Sequence, residues 1–392
     1  MNNFTYFAPT KVIFGKQSET QVGDLIRALN AKKVLLHYGS GSVIRSGLLA
    51  RVKNALAVAG IASVELGGVV PNPRLSLVYQ GIELCRREQV DFILAVGGGS
   101  VIDSAKAIGY GAAEDGDVWD LFEHSRKARA CLPLGVVLTI AAAGSEMSGG
   151  SVITKDEGGI KRAYDDDLSR PKFAVMNPEL TLTLPDYQTA SGCVDILMHT
   201  MERYFTTGGK MEITTSIAEA LMRTVMHNAQ ILHRNPNDYA ARAEIMWAGS
   251  LAHNDLTGCG NGGGDWATHM LEHEVGGMFD VAHGAGLAAI WGSWARYVYQ
   301  DCLAPFVRFA QNVMGVDADG SEPEIALKGI EAMEDFYRSI AMPTSLTELG
   351  ITPSDEQLQQ MATLCGLAVN GKIGSAKTLH EADMYQIYKM TL

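Results

Sequence analysis

The sequence predicts an α/β half built on a parallel sheet, followed by an all-helical half. Three observations carry this. Short apolar runs alternate with amphipathic stretches through the first half, and two of those runs stop at glycine clusters. After Leu184-Pro185, β-branched runs give way to helical periodicity rich in Ala, Met and Leu. Continuous apolar strands alternating with helices imply a parallel sheet covered on both faces. The composition break sets two domains, 1–186 and 187–392, and 392 residues are enough for both.

In chain order, an opening antiparallel strand is expected at residues 11–14. Val34-Leu35-Leu36-His37-Tyr38 reads as a strand, followed by a helix over 43–59. Val64-Glu65-Leu66 is the next strand and 76–89 the next helix. Phe92-Ile93-Leu94-Ala95-Val96 is apolar throughout and stops at three glycines, with a helix expected over 101–112. Leu134-Gly135-Val136-Val137-Leu138-Thr139-Ile140 and Phe173-Ala174-Val175-Met176 complete the sheet. In the helical half, Asn235-Pro236-Asn237-Asp238 and Gly320-Ser321-Glu322-Pro323 read as inter-helix loops.

Composition excludes several classes. With 47% hydrophobic and 19% charged residues the chain is an ordinary folded protein. A net charge of −12, without any Lys/Arg run, argues against a nucleic-acid partner. The N-terminus lacks a signal-peptide layout. The longest uncharged stretch, 130–145, is too short for a membrane span and contains Pro133. Six scattered cysteines without paired spacing read as reduced packing residues, so a cytoplasmic protein is expected.

Two glycine clusters sit where a strand hands over to a helix: Gly39-Ser40-Gly41-Ser42, and Gly97-Gly98-Gly99-Ser100 with Asp103 and Lys106 just beyond. Such turns aim backbone N–H groups and a helix N-terminus at an anion, which suits a pyrophosphate. The dinucleotide fingerprint is incomplete, because Ile44 stands where a third glycine belongs. Each cluster alone is equally a tight turn; two in one alternating sheet favour a Rossmann-like, nucleotide-binding domain. Glu65 lies near the offset of a ribose-binding acid.

The helical half carries a stronger pattern. Asp195 and His199 are spaced i, i+4, His269 and His273 repeat that spacing, and His283 follows. Each pair projects from one helix face. One carboxylate with several imidazoles suits Zn²⁺, Fe²⁺ or Co²⁺. His37, His124, His227, His233, His253 and His380 are background. The order His-x-x-x-His-Glu is not the zinc-protease order, and no G-x-S-x-G elbow is present, which disfavours metalloprotease and serine hydrolase.

These residues resemble an iron-containing (group III) alcohol dehydrogenase, close to the NADPH-dependent butanol dehydrogenase/aldehyde reductase branch. The resemblance runs nearly end to end. It rests on Phe14-Gly15-Lys16, Pro71-Asn72-Pro73, Gly97-Gly98-Gly99-Ser100-Val101-Ile102-Asp103, Gly144-Ser145-Glu146, Asp195-x-x-x-His199, and His269-x-x-x-His273 with His283-Gly284. It implies a dehydroquinate synthase-like architecture, with an α/β dinucleotide-binding domain and an all-helical metal-binding domain. By the resemblance, Asp195, His199, His269 and His283 are metal ligands and His273 is the catalytic histidine. Spacing does not separate His269 from His273. Lys161 matches a lysine on the nicotinamide-side ribose, and Thr139 lies in the pyrophosphate-side segment. A homodimer is also implied.

The branch is argued from the loop after the second strand. Members preferring NAD carry an Asp there, which accepts the ribose hydroxyls and repels a 2′-phosphate. Here Gly39-Ser40-Gly41-Ser42 has no acid and Arg45 is close by, so NADP(H) is expected. Ala143 replaces the family's Thr, Asn177 replaces an Asp, and 260–264 is glycine-rich, read as a loop. The expected reaction interconverts short-to-medium-chain aldehydes and primary alcohols, with a divalent metal as Lewis acid and His273 relaying a proton. A dehydroquinate synthase-like lyase is the alternative. It needs a basic pocket, whereas the metal region here is apolar (Trp266, Met270, Leu271, Met278, Phe279). A non-catalytic metal-binding protein leaves the glycine loops unexplained.

Overall fold

The computed structural model describes residues 1–209 and 211–392. It divides into two compact units, one formed by Ala8–Thr183 and the other by Met1–Phe7 together with Leu184–Leu392.

The α/β unit contains strands β1 (Lys11–Phe14), β2 (Lys33–Gly39), β3 (Ala62–Val69), β4 (Phe92–Gly97), β5 (Leu134–Leu138), β6 (Gly150–Lys155), β7 (Ile160–Asp165) and β8 (Phe173–Met176). Six of them form one sheet in the order β1-β8-β5-β4-β2-β3, with every pairing parallel. Helices α1 (Val22–Ala28), α2 (Ser42–Arg45), α3 (Leu48–Val58), α4 (Leu75–Glu88), α5 (Gly99–Ala113) and α6 (Trp119–Phe122) follow or link the strands. Every residue of β4 and β5 is buried, as central strands covered on both faces require. Val34, Leu36, Phe92, Leu94, Val96, Val137 and Val175 pack with Val22, Ile26, Val52 and Leu56 from α1 and α3 into one core.

Three expectations change here. The opening strand β1 runs parallel to β8, pairing Lys11 with Phe173, not antiparallel. The helix expected over 43–59 is two helices, because Gly47 adopts a left-handed φ of 72° between α2 and α3. Residues 150–165 form an unforeseen antiparallel hairpin, β6–β7.

A buried histidine stitches the sheet to its cover. His37 on β2 donates from Nδ1 to the Leu66 carbonyl (2.9 Å), and Nε2 accepts from Ser104 Oγ on α5 (2.8 Å). Asn177, just after β8, accepts from Glu179 N–H and donates to the buried Glu19 carboxylate at 3.0 Å. An Asp at this position has no proton to give Glu19 in its ionised form.

Among the described residues the helical unit carries α7 (Asp186–Tyr204), α8 (Glu212–Arg234), α9 (Tyr239–His253), α10 (Ala267–Phe279), α11 (His283–Val298), α12 (Leu303–Asn312), α13 (Glu322–Ser339), α14 (Asp355–Ala368) and α15 (Glu381–Met390). Asp238 caps α9 by accepting from Ala241 N–H, and Ser321 opens α13 with a capping box. The first predicted loop thus ends in a helix cap, whereas Glu322 and Pro323 of the second already belong to α13. Trp291, Trp294, Phe205, Phe306 and Phe309 form its aromatic centre. None of the six cysteines, all among the described residues, is in a disulfide, and five are buried. Among the described residues, no helix is long and apolar enough to cross a membrane.

Candidate metal centre and cofactor loops

Asp195 and His199 lie in the middle of α7, one turn apart on a buried face. His269 and His273 share one face of α10, and His283 is the first residue of α11. Gly284 lets α11 come this close to α7: a β-carbon there would sit 2.0 Å from the Ser191 carbonyl oxygen.

Three rings converge on one oxygen. Asp195 Oδ1 lies 3.2 Å from His199 Nδ1, 3.7 Å from His269 Nε2 and 3.8 Å from His283 Nε2. Asp195, His199 and His269 offer donor atoms within 4.8 Å of one another, and all three are buried. His283 is the open member, with 29% of its side chain exposed, so that is the side from which a small molecule can reach the cluster. His273 stands apart from the first group: it clusters with Glu272 and His283, its ring 5.9 Å from that of His283. His253, read from sequence as background, packs its ring 4.0 Å from His199.

Burial alone would raise the Asp195 carboxyl, yet His199, His269 and His283 hold it well below the ordinary carboxylate range. Burial opposes charge on both inner histidines. It wins at His199, lowered to about 4. At His269 the flanking Asp195 and Glu202 win, and the ring is raised to about 9. Asp195 Oδ1 and His269 Nε2 are both buried without a hydrogen-bond partner. Leaving such groups unsatisfied costs about 1–3 kcal/mol each. One carboxylate and three imidazoles closing on those atoms fit a borderline divalent cation.

In the α/β unit, Gly39-Ser40-Gly41-Ser42 runs from the carboxyl end of β2 into α2, and Gly97-Gly98-Gly99-Ser100 from β4 into α5. Thr139 follows β5 and donates its N–H to the Gly97 carbonyl at 3.0 Å. β2 and β4 are neighbours, but the chain leaves β2 for β3 on one side and β4 for β5 on the other. Open parallel sheets bind ligands beyond such a switch point. The first turns of α2 and α5 have no side-chain cap, and uncapped helix N-termini favour anions. Arg45 folds back over the first loop, its Nη1 2.9 Å from where a Gly41 β-carbon would sit.

Two of the predicted cofactor residues lie outside these loops, Asp103 on α5 and Lys161 on β7. Asp103 is turned inward: it accepts from Ser145 Oγ (2.6 Å) and Val152 N–H (3.0 Å). Lys161 is buried on β7, paired with Thr154 across the hairpin. Glu65 pairs in register with Leu36, three residues short of Gly39, and bonds Lys53. It therefore lies inside the strand, away from the carboxyl end where a ribose would bind.

Comparison with known proteins decides the family. A family model described as iron-containing alcohol dehydrogenase matches residues 9–178, and one for the C-terminal part of the Fe-containing alcohol dehydrogenase family matches 189–392. The NADH-dependent butanol dehydrogenase A of Clostridium acetobutylicum is 39% identical over 390 residues, covering 99% of both chains. The chain belongs to the iron-containing alcohol dehydrogenase family. The NADPH-dependent aldehyde reductase of Escherichia coli is 35% identical over 357 residues, covering 90% of this chain and 91% of that one. A crystal structure of NADH-dependent butanol dehydrogenase A from Thermotoga maritima has the same fold, with a TM-score of 0.96, 38% identity, and 100% and 99% of the two chains covered.

Membership makes this an alcohol dehydrogenase and implies a nicotinamide cofactor and a divalent metal. Two residues beside the Asp195–histidine cluster of this alcohol dehydrogenase escaped the sequence reading. Glu202 and Glu272 are buried and hydrogen-bonded to His269 and His283. The signal was present: Glu202 falls three residues after His199 and Glu272 three after His269, on the same helix faces.

Proposed function

We propose that this alcohol dehydrogenase is metal-dependent and NADP(H)-linked, and interconverts short-to-medium-chain aldehydes and primary alcohols. The observation that carries metal dependence is two buried atoms without a hydrogen-bond partner, Asp195 Oδ1 and His269 Nε2, with His199 and His283 closing round them. In this reading Asp195, His199, His269 and His283 hold one divalent ion. When bound, the metal supplies Lewis acidity toward the carbonyl oxygen and the nicotinamide supplies the hydride. His273, beside the open His283, moves the proton to or from the substrate oxygen.

The α/β unit holds the dinucleotide. The Gly39–Ser42 and Gly97–Ser100 backbones and Thr139 bind phosphates, and Lys161 binds the nicotinamide-side ribose. Asp103 serves by fixing segment 145–152 against α5. The relatives' names point both ways on the cofactor, NADH for the clostridial and Thermotoga proteins and NADPH for the Escherichia coli one. The loop of this chain favours NADP(H): it has no acid to repel a 2′-phosphate, and Arg45 lies over Gly41.

The test uses chelator-stripped protein with butanal, NADPH or NADH, before and after adding Zn²⁺, Fe²⁺ or Co²⁺. Metal-restored turnover is expected, with kcat/KM for NADPH about tenfold or more above NADH. In Gly39→Asp, which places a carboxylate at the end of β2, that ratio is expected to fall about tenfold or more. An NADH preference in the native protein overturns the cofactor assignment alone. No metal-dependent turnover with butanal or other aldehydes overturns the whole reading.

A further inference from the structure

Two buried glutamates outside the predicted ligand set each hold a histidine of the cluster. Glu202 Oε1 accepts from both the backbone N–H and the Nδ1 of His269, at 3.0 Å each. Glu272, on α10, meets Nδ1 of His283 on α11. Both carboxylates are buried, with Glu272 at 0% exposure. The other nitrogen of each ring approaches the same atom: the two Nε2 atoms lie 3.7 and 3.8 Å from Asp195 Oδ1. The fold makes room for this. A β-carbon on Gly286 would sit 2.9 Å from Glu272 Cγ, so glycine one turn into α11 lets the Glu272 side chain lie between the two helices.

We propose that Glu202 and Glu272 are positioning residues of the metal centre, locking His269 and His283 in the Nδ1–H form with Nε2 turned toward Asp195. The inference rests on the metal-centre reading above and extends it from ligands to what sets them. A carboxylate on Nδ1 makes the imidazole a stronger donor at Nε2 and stops the ring from rotating. It also brings to three, with Asp195, the carboxylates gathered around one divalent ion, so the protein binds that ion more tightly than the four ligands alone would.

The experiment is Zn²⁺ binding by the full-length, chelator-stripped protein, measured by competition with a chromophoric chelator. Native protein, Glu272→Gln and Glu202→Gln are compared, with the Co²⁺ absorption spectrum as a second readout. Each substitution keeps the shape and removes the charge. The expected result is one ion per chain, Zn²⁺ bound about 10–100-fold more weakly in each variant, and a shifted Co²⁺ band. Affinity and spectrum unchanged in folded variants overturn the proposal and leave the metal centre standing. Two ions per chain also overturn it, since Glu272 would then be a ligand with His273 and His283, whose donor atoms lie within 4.8 Å of one another. No Zn²⁺ binding by native protein defeats the underlying metal-centre reading instead, and this proposal with it. Should the variants not fold, ¹⁵N-histidine NMR of the native Zn²⁺ form decides. Nδ1 protonated and Nε2 metal-bound in both rings supports the proposal, and Nδ1 metal-bound overturns it.

Discussion

In the α/β unit the fully buried Lys106 ammonium donates to Ser145 O and Oγ, Ser148 O and Gly150 O, with Asp103 beside it accepting from Ser145 and Val152. In the helical unit Asp195 Oδ1 and His269 Nε2 are equally buried, yet neither has a hydrogen-bond partner. Both regions place charge in a low-dielectric interior, where an unpaired group is costly. The first network closes on itself, which is what a structural latch requires: it ties α5 to the start of the β6–β7 hairpin. The second stays open at its centre, and the proposed divalent cation would supply the missing partner there.

That contrast is broken most forcefully at Asp195. Asp195→Asn is expected to lower kcat/KM for butanal roughly 10,000-fold, on the order of 5 kcal/mol of barrier. Saturating Zn²⁺ should stabilise the native protein by about 4 kcal/mol at 1,000 times its Kd and the variant hardly at all. An equal thermal shift in both would show that the cation binds elsewhere.

Lys106→Met probes the closed network. It orphans several buried carbonyls and strips Asp103 of its counter-charge. The expected cost is about 3–5 kcal/mol in denaturant unfolding, with Zn²⁺ affinity untouched. A loss under about 1 kcal/mol would mean that water replaces the ammonium and the latch is not closed.

The same contrast explains what was readable from sequence. The apolar runs of β2, β4, β5 and β8, the first two ending at glycine clusters, announce buried parallel strands, so the central sheet was visible. The i, i+4 pairs on α7 and α10 announced a cluster, because helical geometry alone brings such residues to one face. The direction of β1 was not readable, since its partner strand begins with Phe173, far along the chain. The β6–β7 hairpin was hidden by Lys155, Asp156, Lys161 and Arg162, which interrupt any apolar alternation. Which histidine of α10 faces Asp195 depends on how α10 packs against α7 and α11, not on spacing. Glu202 and Glu272 are buried only by the packing of α7, α10 and α11, which spacing along the chain does not reveal.

His37 sets the finest comparison, because it is a buried histidine of the α/β unit with both nitrogens satisfied. Burial lowers it from the usual 6.5 to about 4, against a smaller opposing effect of the Leu66 carbonyl. The unfolded chain therefore takes up a proton between about pH 6.5 and 4 that the folded chain refuses, and stability falls as pH falls through that window. Relative to His37→Gln, the native protein's stability should drop by about 2 kcal/mol between pH 7.5 and pH 5. Carboxylates titrating over the same range contribute to both proteins and cancel in the difference, provided both are held in the same metal state. A difference that stays constant with pH would mean that the folded protein binds the proton, so that Ser104 Oγ and the Leu66 carbonyl accommodate an imidazolium. Histidines of both units would then be open to charge, and burial without a free partner atom would no longer separate a structural histidine from a ligand.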